Sequence, residues 1–243
     1  MDIKKLTIQA DALRNMSVKA RAGETGRRWY DIKNQGEVAQ VYVYDMIGEW
    51  GITAQDFVNE LNAITAPAID LHINSEGGQV FDGIAIYNAI RNHPANVTAY
   101  VDSLAASAAS FIVQGANDRV MEPNARMMIH DAQGVVMGDA SAARTLADLL
   151  DDTSENIASI YAERSGVEAA EWRAAMQKDG GAGTWYGAQE AKDAGLIDRI
   201  SGEEVENPLP HKKKTPKNQV EEPVVTATTW DFDMLSAVKE AMQ

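Results

Sequence analysis

The chain has 243 residues, 45% of them hydrophobic, enough for one sizeable globular domain with extra segments at its ends. A formal charge of −14 fits a soluble protein and argues against general nucleic-acid binding, which needs a basic surface. The absence of cysteine excludes thiol catalysis, disulfides and cysteine-ligated zinc, and no apolar run reaches the ~18 residues of a membrane span.

Residues 1–35 read as a polar, flexible segment without the apolar core of a secretory signal, with order beginning near Trp29. "VAQVYVY" (Val38–Tyr44) is rich in β-branched and aromatic residues and predicts a strand. "TAQDFVNELNAI" follows as a helix, with Thr53 as N-cap and Phe57, Leu61 and Ile64 at helical spacing. "AIDLHINS" (Ala68–Ser75) predicts a second strand, ending in "EGG". "VFDGIAIYNAIRNH" is a helix with Ile84, Ile86, Tyr87 and Ile90 inward. "NVTAYVD" is a third strand, and "AASAASFIVQGA" after it reads as a helix closed by Gly115. "DRVMEP" and "ARMMIH" are two short strands. A long helix covers Ala140–Arg164, with Leu146, Leu149, Leu150, Ile157, Ile160 and Tyr161 as its core stripe and Gly166 beyond its end. Another spans Glu168–Lys178, and "AQEAKDAGLIDRI" gives a helix, a Gly195 cap and a short strand.

Strands alternating with helices specify an α/β fold with a largely parallel sheet, and reactive groups then collect where strands end and helices begin. The "SEGG" and "SLAAS" turns both occupy such points. The domain so read covers residues 36–201. Residues 202–227 are charged and proline-containing and read as a linker. Residues 228–243 carry Trp230, Met234, Val238 and Met242 on one face of an amphipathic C-terminal helix.

The segment "SLAASAAS" sets Ser103, Ser107 and Ser110 among small residues. A serine is a weak nucleophile unless a base, a group orienting that base and donors for the oxyanion accompany it. Of the four histidines, His211 falls in the linker, His93 precedes Pro94 and reads as an exposed helix cap, and His72 lies inside a strand with its direction open. His130 ends an apolar strand and is the favoured base. Gly77 and Gly78 allow the positive φ and close backbone approach that aim peptide N–H groups at a substrate oxygen. The second donor is the N–H of the residue after the nucleophile.

"INSEGGQVFDGIAIYNAI", "AYVDSLAASAASFIVQGANDRVMEPNARMMIH" and "WYGAQEAKDAGLIDRI" together resemble the ClpP family of serine peptidases, most closely its phage branch, the ClpP-like head maturation (prohead) proteases. The resemblance covers about Val38 to Ile200 and implies a ClpP/crotonase-like fold of stacked ββα units. It makes Ser107 the nucleophile, His130 the base, and the N–H groups of Gly78 and Ala108 the oxyanion donors. The family's acid precedes "WYGAQEA". Asp179, the only acid between Glu171 and Trp185, takes that role, with Asp131 as the alternative. "SEGG" departs from the family's usual proline before the glycines.

The resemblance further implies acyl transfer to water with no cofactor and no metal. It implies a homo-oligomeric ring with the long helix as a contact, and capsid or scaffold protein as substrate in the host cytoplasm or assembling procapsid. Rival expectations are an acyl-CoA enzyme of the crotonase type, a non-catalytic capsid-assembly protein on the same fold, and a serine–lysine peptidase using Lys178 or Lys192.

Overall fold

The computed structural model describes residues 30–48 and 54–203. The order is β1 (Tyr30–Gln35), β2 (Val38–Val43), α1 (Ala54–Asn62), β3 (Ala68–Ser75), α2 (Val80–Asn92), β4 (Asn96–Ala106) and α3 (Ala108–Val113). Then come β5 (Asp118–Met121), β6 (Arg126–Ile129), α4 (Ala140–Ser165), α5 (Ala169–Met176), α6 (Lys178–Gly181), β7 (Thr184–Gly187), α7 (Ala188–Asp193) and β8 (Arg199–Ile200). Thr53, His211, the linker and the amphipathic end at 228–243 lie outside the described residues. Among the described residues, no helix is long and apolar enough to cross a membrane.

The sheet runs β1-β2-β3-β4-β5-β8, parallel from β2 onward, with β1 antiparallel to β2. Alternation dictates which face is inside. Ile69, Leu71 and Ile73 of β3, and Val97, Ala99 and Val101 of β4, are at most 1% exposed. The intervening His72 and Tyr100 face the other way and stay half-buried, and Tyr42 of β2 stacks on His72 at 4.8 Å. Buried Phe57, Leu61, Ile86, Ile90, Phe111 and Ile157 join the inner face in one apolar core.

β4 decides the geometry of the site because it changes partners along its length. Thr98–Val101 pair with β5, whereas Leu104–Ala106 pair with β6, which in turn pairs antiparallel with β7. Between β3 and β4 the register also shifts, from Ile73↔Val101 to Ser75↔Ala105. The forked strand delivers residue 107 to the point where the β6–β7 branch leaves the sheet.

Four sequence expectations require correction. Residues 30–35 form β1, in keeping with order beginning near Trp29 but not with a flexible segment drawn to residue 35, because Gly36 at φ 71° allows a tight hairpin back into β2. Ala105 and Ala106 are strand rather than the start of a helix, since pairing with β6 overrides the helical propensity of alanine. His93 is a C-cap but is buried, 3% exposed, not solvated. Its Nδ1 accepts from the Ala95 N–H at 3.1 Å, so Nε2 carries the proton and donates to the Leu61 carbonyl. The α4 stripe is buried only in its C-terminal half, through Ile157, Ile160 and Tyr161, while Leu149 is 47% exposed.

Candidate active site

Three segments converge on one cleft of about 470 Å³, bordered by Gly78, Ser107, Ala108, Met128, His130 and Tyr161. Ser107 joins β4 to α3 with φ 52° and ψ −123°, a conformation rare outside glycine and costing roughly 1–3 kcal/mol. The surroundings enforce it. The Ser107 N–H donates to the Met128 carbonyl at 2.9 Å, and the Ser107 carbonyl accepts from the Ser110 N–H at 3.0 Å. Gly77 presses against the same turn. A Cβ there would lie 2.6 Å from the Ala106 carbonyl oxygen and 2.7 Å from Ser107 Cβ. Glycine at 77 is therefore required by the close approach of two backbones.

Ser107 Oγ lies 2.7 Å from His130 Nε2. With the serine O–H donating, Nε2 is the unprotonated nitrogen and the imidazole proton sits on Nδ1. His130 is half-buried, and burial lowers its pKa below 6.5, opposed by the charge of neighbouring Asp131. The imidazole is thus held neutral near pH 7, the state a base needs.

The glycine turn faces this pair. Gly78 forms an isolated parallel bridge with Ile47. The Ile47 N–H donates to the Gly77 carbonyl at 2.7 Å, and the Gln79 N–H donates to the Ile47 carbonyl at 3.0 Å. Those bonds fix the turn without using the Gly78 N–H. The Ala108 N–H opens α3 and has no carbonyl one turn earlier to bind.

The structure does not bring Asp179 to His130, which corrects the expected third member. Asp179 is exposed at φ 54° on the α6 turn, and no hydrogen bond or ion pair joins it to the imidazole among the described residues. The reason is register. The β6–β7 ladder ends at Ile129↔Thr184, so the chain passes His130 at Gly183. A Cβ at Gly183 would sit 2.7 Å from His130 Cβ and 2.1 Å from the Ile129 carbonyl oxygen. Asp131, the alternative acid, is turned aside, because Arg173 Nε donates to its Oδ1 at 2.9 Å. Arg173 also binds Asp151 at 2.6 Å and so ties α5 to α4. Asp179→Asn is expected to change kcat/KM by no more than about twofold, as for other exposed polar positions, measured on a peptide substrate.

The other sequence candidates separate cleanly. Ser103 is an exposed strand residue. Ser110 is fully buried, and its Oγ binds both the Ser107 carbonyl and the Tyr161 hydroxyl. His72 belongs to the outer face, stacked between Tyr42 and Tyr100, with Nδ1 2.9 Å from Asp102, which Tyr44 also binds. Lys178 is exposed, and Lys192 is held by Glu203 at 2.7 Å, so neither contacts Ser107. Tyr161 had a sequence signal only as part of a helix stripe, and its role at the nucleophile turn depends on a contact 51 residues away.

Residues 24–204 match the family model described as Clp protease. The chain belongs to the Clp protease family. Within it, the chain is 35% identical over 134 residues to the ATP-dependent Clp protease proteolytic subunit 2 of Corynebacterium glutamicum, covering 54% of this chain and 65% of that one, just under two thirds of the relative's length. It is 29% identical over 184 residues to the ATP-dependent Clp protease proteolytic subunit of Oltmannsiellopsis viridis, covering 74% and 92% of the two chains. Among solved structures, a point mutant of ClpP1 from Listeria monocytogenes shares the fold with a TM-score of 0.55 and 27% identity, over 66% of this chain and 90% of that one. The Clp protease match includes the glycine turn, the forked strand and the β6–β7 ladder that carry the cleft.

Proposed function

We propose that this chain is a serine endopeptidase in which Ser107 and His130 carry the chemistry. The single observation behind this reading is the 2.7 Å contact between Ser107 Oγ and His130 Nε2 inside a cleft bordered by Gly78 and Ala108. His130 takes the proton as Ser107 Oγ attacks the scissile carbonyl. The N–H groups of Gly78 and Ala108 receive the oxyanion. His130 then protonates the leaving amine, and a water molecule repeats the sequence on the acyl-enzyme. Among the described residues no carboxylate touches Nδ1, so the imidazolium draws its support from the more distant charge of Asp131. An acyl-CoA enzyme on this fold would need the paired N–H donors but not the serine–histidine contact, which favours the peptidase.

A fluorophosphonate probe tests the reading. It should label Ser107, mapped by peptide mass spectrometry, and the labelling rate should rise with pH through an apparent pKa below 6.5 to a plateau. The sign follows from the mechanism, since only neutral His130 accepts the serine proton. Absence of labelling at Ser107 on the plateau would remove the proposal.

For the substrate we propose capsid or scaffold protein, as in the phage head maturation branch that the motifs resemble. The charged stretch 202–227 and the apolar stripe at 228–243 support a partner-docking end. The names of the relatives favour a second reading, the proteolytic subunit of an ATP-dependent protease. Cleavage of a capsid or scaffold protein without ATP separates the first from the second, which is ATP-dependent.

We also propose self-assembly into a ring. Val135 and Met137, 94% and 95% exposed, and Leu149 on the outlying half of α4 form apolar surface that a second copy would cover. Sedimentation at micromolar concentration should give a mass several times the 26.4 kDa of one chain. A monomer at that concentration would count against assembly.

A further inference from the structure

The deepest polar groups beside the nucleophile turn are two hydroxyls that the proposed chemistry does not use. Ser110 is 0% exposed and Tyr161 is 1% exposed. Ser110 Oγ lies 2.5 Å from the Ser107 carbonyl oxygen and 2.7 Å from the Tyr161 hydroxyl. A carbonyl only accepts, so Ser110 commits its single proton to Ser107 and must accept from Tyr161. Burial raises the Tyr161 pKa, which keeps that proton in place. The bonds therefore run one way, from Tyr161 O–H to Ser110 Oγ–H to the Ser107 carbonyl.

That carbonyl belongs to the peptide unit whose N–H is the Ala108 N–H. Amide resonance couples its two ends, so donation into the oxygen draws density from the nitrogen and makes the N–H more polar. The carbonyl already accepts from the Ser110 N–H at 3.0 Å, so the side-chain bond is not needed merely to satisfy it. The bonds also anchor a turn whose φ of 52° would otherwise relax.

We infer that Ser110 and Tyr161 form a buried hydroxyl relay that fixes and polarises the Ala108 N–H as an oxyanion donor. This rests on the serine-peptidase reading. Both are positioning residues, since neither hydroxyl touches the reacting atoms. The relay acts on charge that develops only in the transition state, so its loss falls on kcat and not on KM.

The test uses the full chain with Ser110→Ala, Tyr161→Phe and the double variant, assayed on a peptide substrate and with a peptide aldehyde, whose adduct with the serine mimics the oxyanion. Ser110→Ala should lower kcat by about tenfold, less than the roughly 10²–10³ of losing a whole donor, with KM within about twofold. Aldehyde affinity should fall by the same factor. Tyr161→Phe should lower kcat by about threefold, because Ser110 still donates. In Ser110→Ala the Tyr161 hydroxyl is left buried without a partner, so the double variant should melt higher than that single variant. Its kcat should stay as low as that of Ser110→Ala. Unchanged kcat in Ser110→Ala, or kcat that recovers with the melting temperature in the double variant, overturns the relay and leaves only packing. If the wild-type chain is never labelled at Ser107 by fluorophosphonate, the peptidase reading falls and the relay with it. Normal wild-type labelling with unchanged kcat in Ser110→Ala removes the relay alone.

Discussion

Replacing Ser107 by alanine is expected to lower peptide hydrolysis by roughly 10⁴- to 10⁶-fold while leaving the fold in place. Two structural facts separate activity from stability here. Among the described residues, the only hydrogen bond of Ser107 Oγ is to His130, so its removal strands no buried partner that lacks access to the cleft. The bonds that shape the turn run from the Ser107 N–H to Met128 and from Ser110 to the Ser107 carbonyl, and they survive truncation. The melting temperature should therefore stay within a few degrees of wild type, as for a change near ~1 kcal/mol in a domain of this size. His130→Ala should lose a similar factor, and the double variant should be no slower than either single one, because the two residues act as a unit. Hydrolysis by Ser107→Ala at more than a few percent of the wild-type rate would place the nucleophile elsewhere.

What the sequence disclosed, and what it hid, follows the range of the interactions involved. The strand Ala68–Ser75 was legible to the residue because Ile69, Leu71 and Ile73 alternate with half-buried neighbours, and period-two patterning is local. Ser107 and His130 were legible because each ends an apolar run at a point where an α/β fold presents side chains. The extension of β4 through Ala106 was hidden, since alanine pairs favour helix until β6 supplies partners. The α4 stripe was only half right for a related reason. Leu146 and Leu149 keep helical spacing, but Leu146 is only half-buried and Leu149 is exposed, and periodicity names a face without naming what covers it. The acid was the hardest feature. Proximity to "WYGAQEA" selected Asp179, whereas the antiparallel register of β6 and β7 sets Gly183 beside His130. Register across a sheet is a tertiary property, and a short glycine-rich loop was enough to misplace the assignment. The Ser110–Tyr161 pair was invisible for the same reason, its members being 51 residues apart.

Gly78→Ala is the second substitution with a large expected effect, and it tests the oxyanion turn without touching nucleophile or base. Gly78 has φ 152°, and a Cβ on it would lie 2.0 Å from the Ile47 carbonyl oxygen and 2.7 Å from the Ile47 nitrogen. Those contacts are with backbone, so no rotamer change relieves them. Either the Ile47 segment moves away or the Gly78 peptide rotates. The first breaks the bonds from the Ile47 N–H to Gly77 and from the Gln79 N–H to Ile47, and the second re-aims the Gly78 N–H, the proposed oxyanion donor. Either change displaces the proposed donor, so kcat should fall by roughly 10²- to 10³-fold, with a much smaller change in KM. Gly36→Ala is the matched control. Gly36 has φ 71° in the β1–β2 hairpin, and a Cβ there meets nothing within 4 Å. That variant carries the backbone strain of an alanine at positive φ, roughly 1–2 kcal/mol, with no steric clash. It should melt lower yet hydrolyse peptide at the wild-type rate. If Gly78→Ala lost no more activity than Gly36→Ala, the turn would serve only to connect β3 to α2, and the oxyanion would have to find its donors elsewhere.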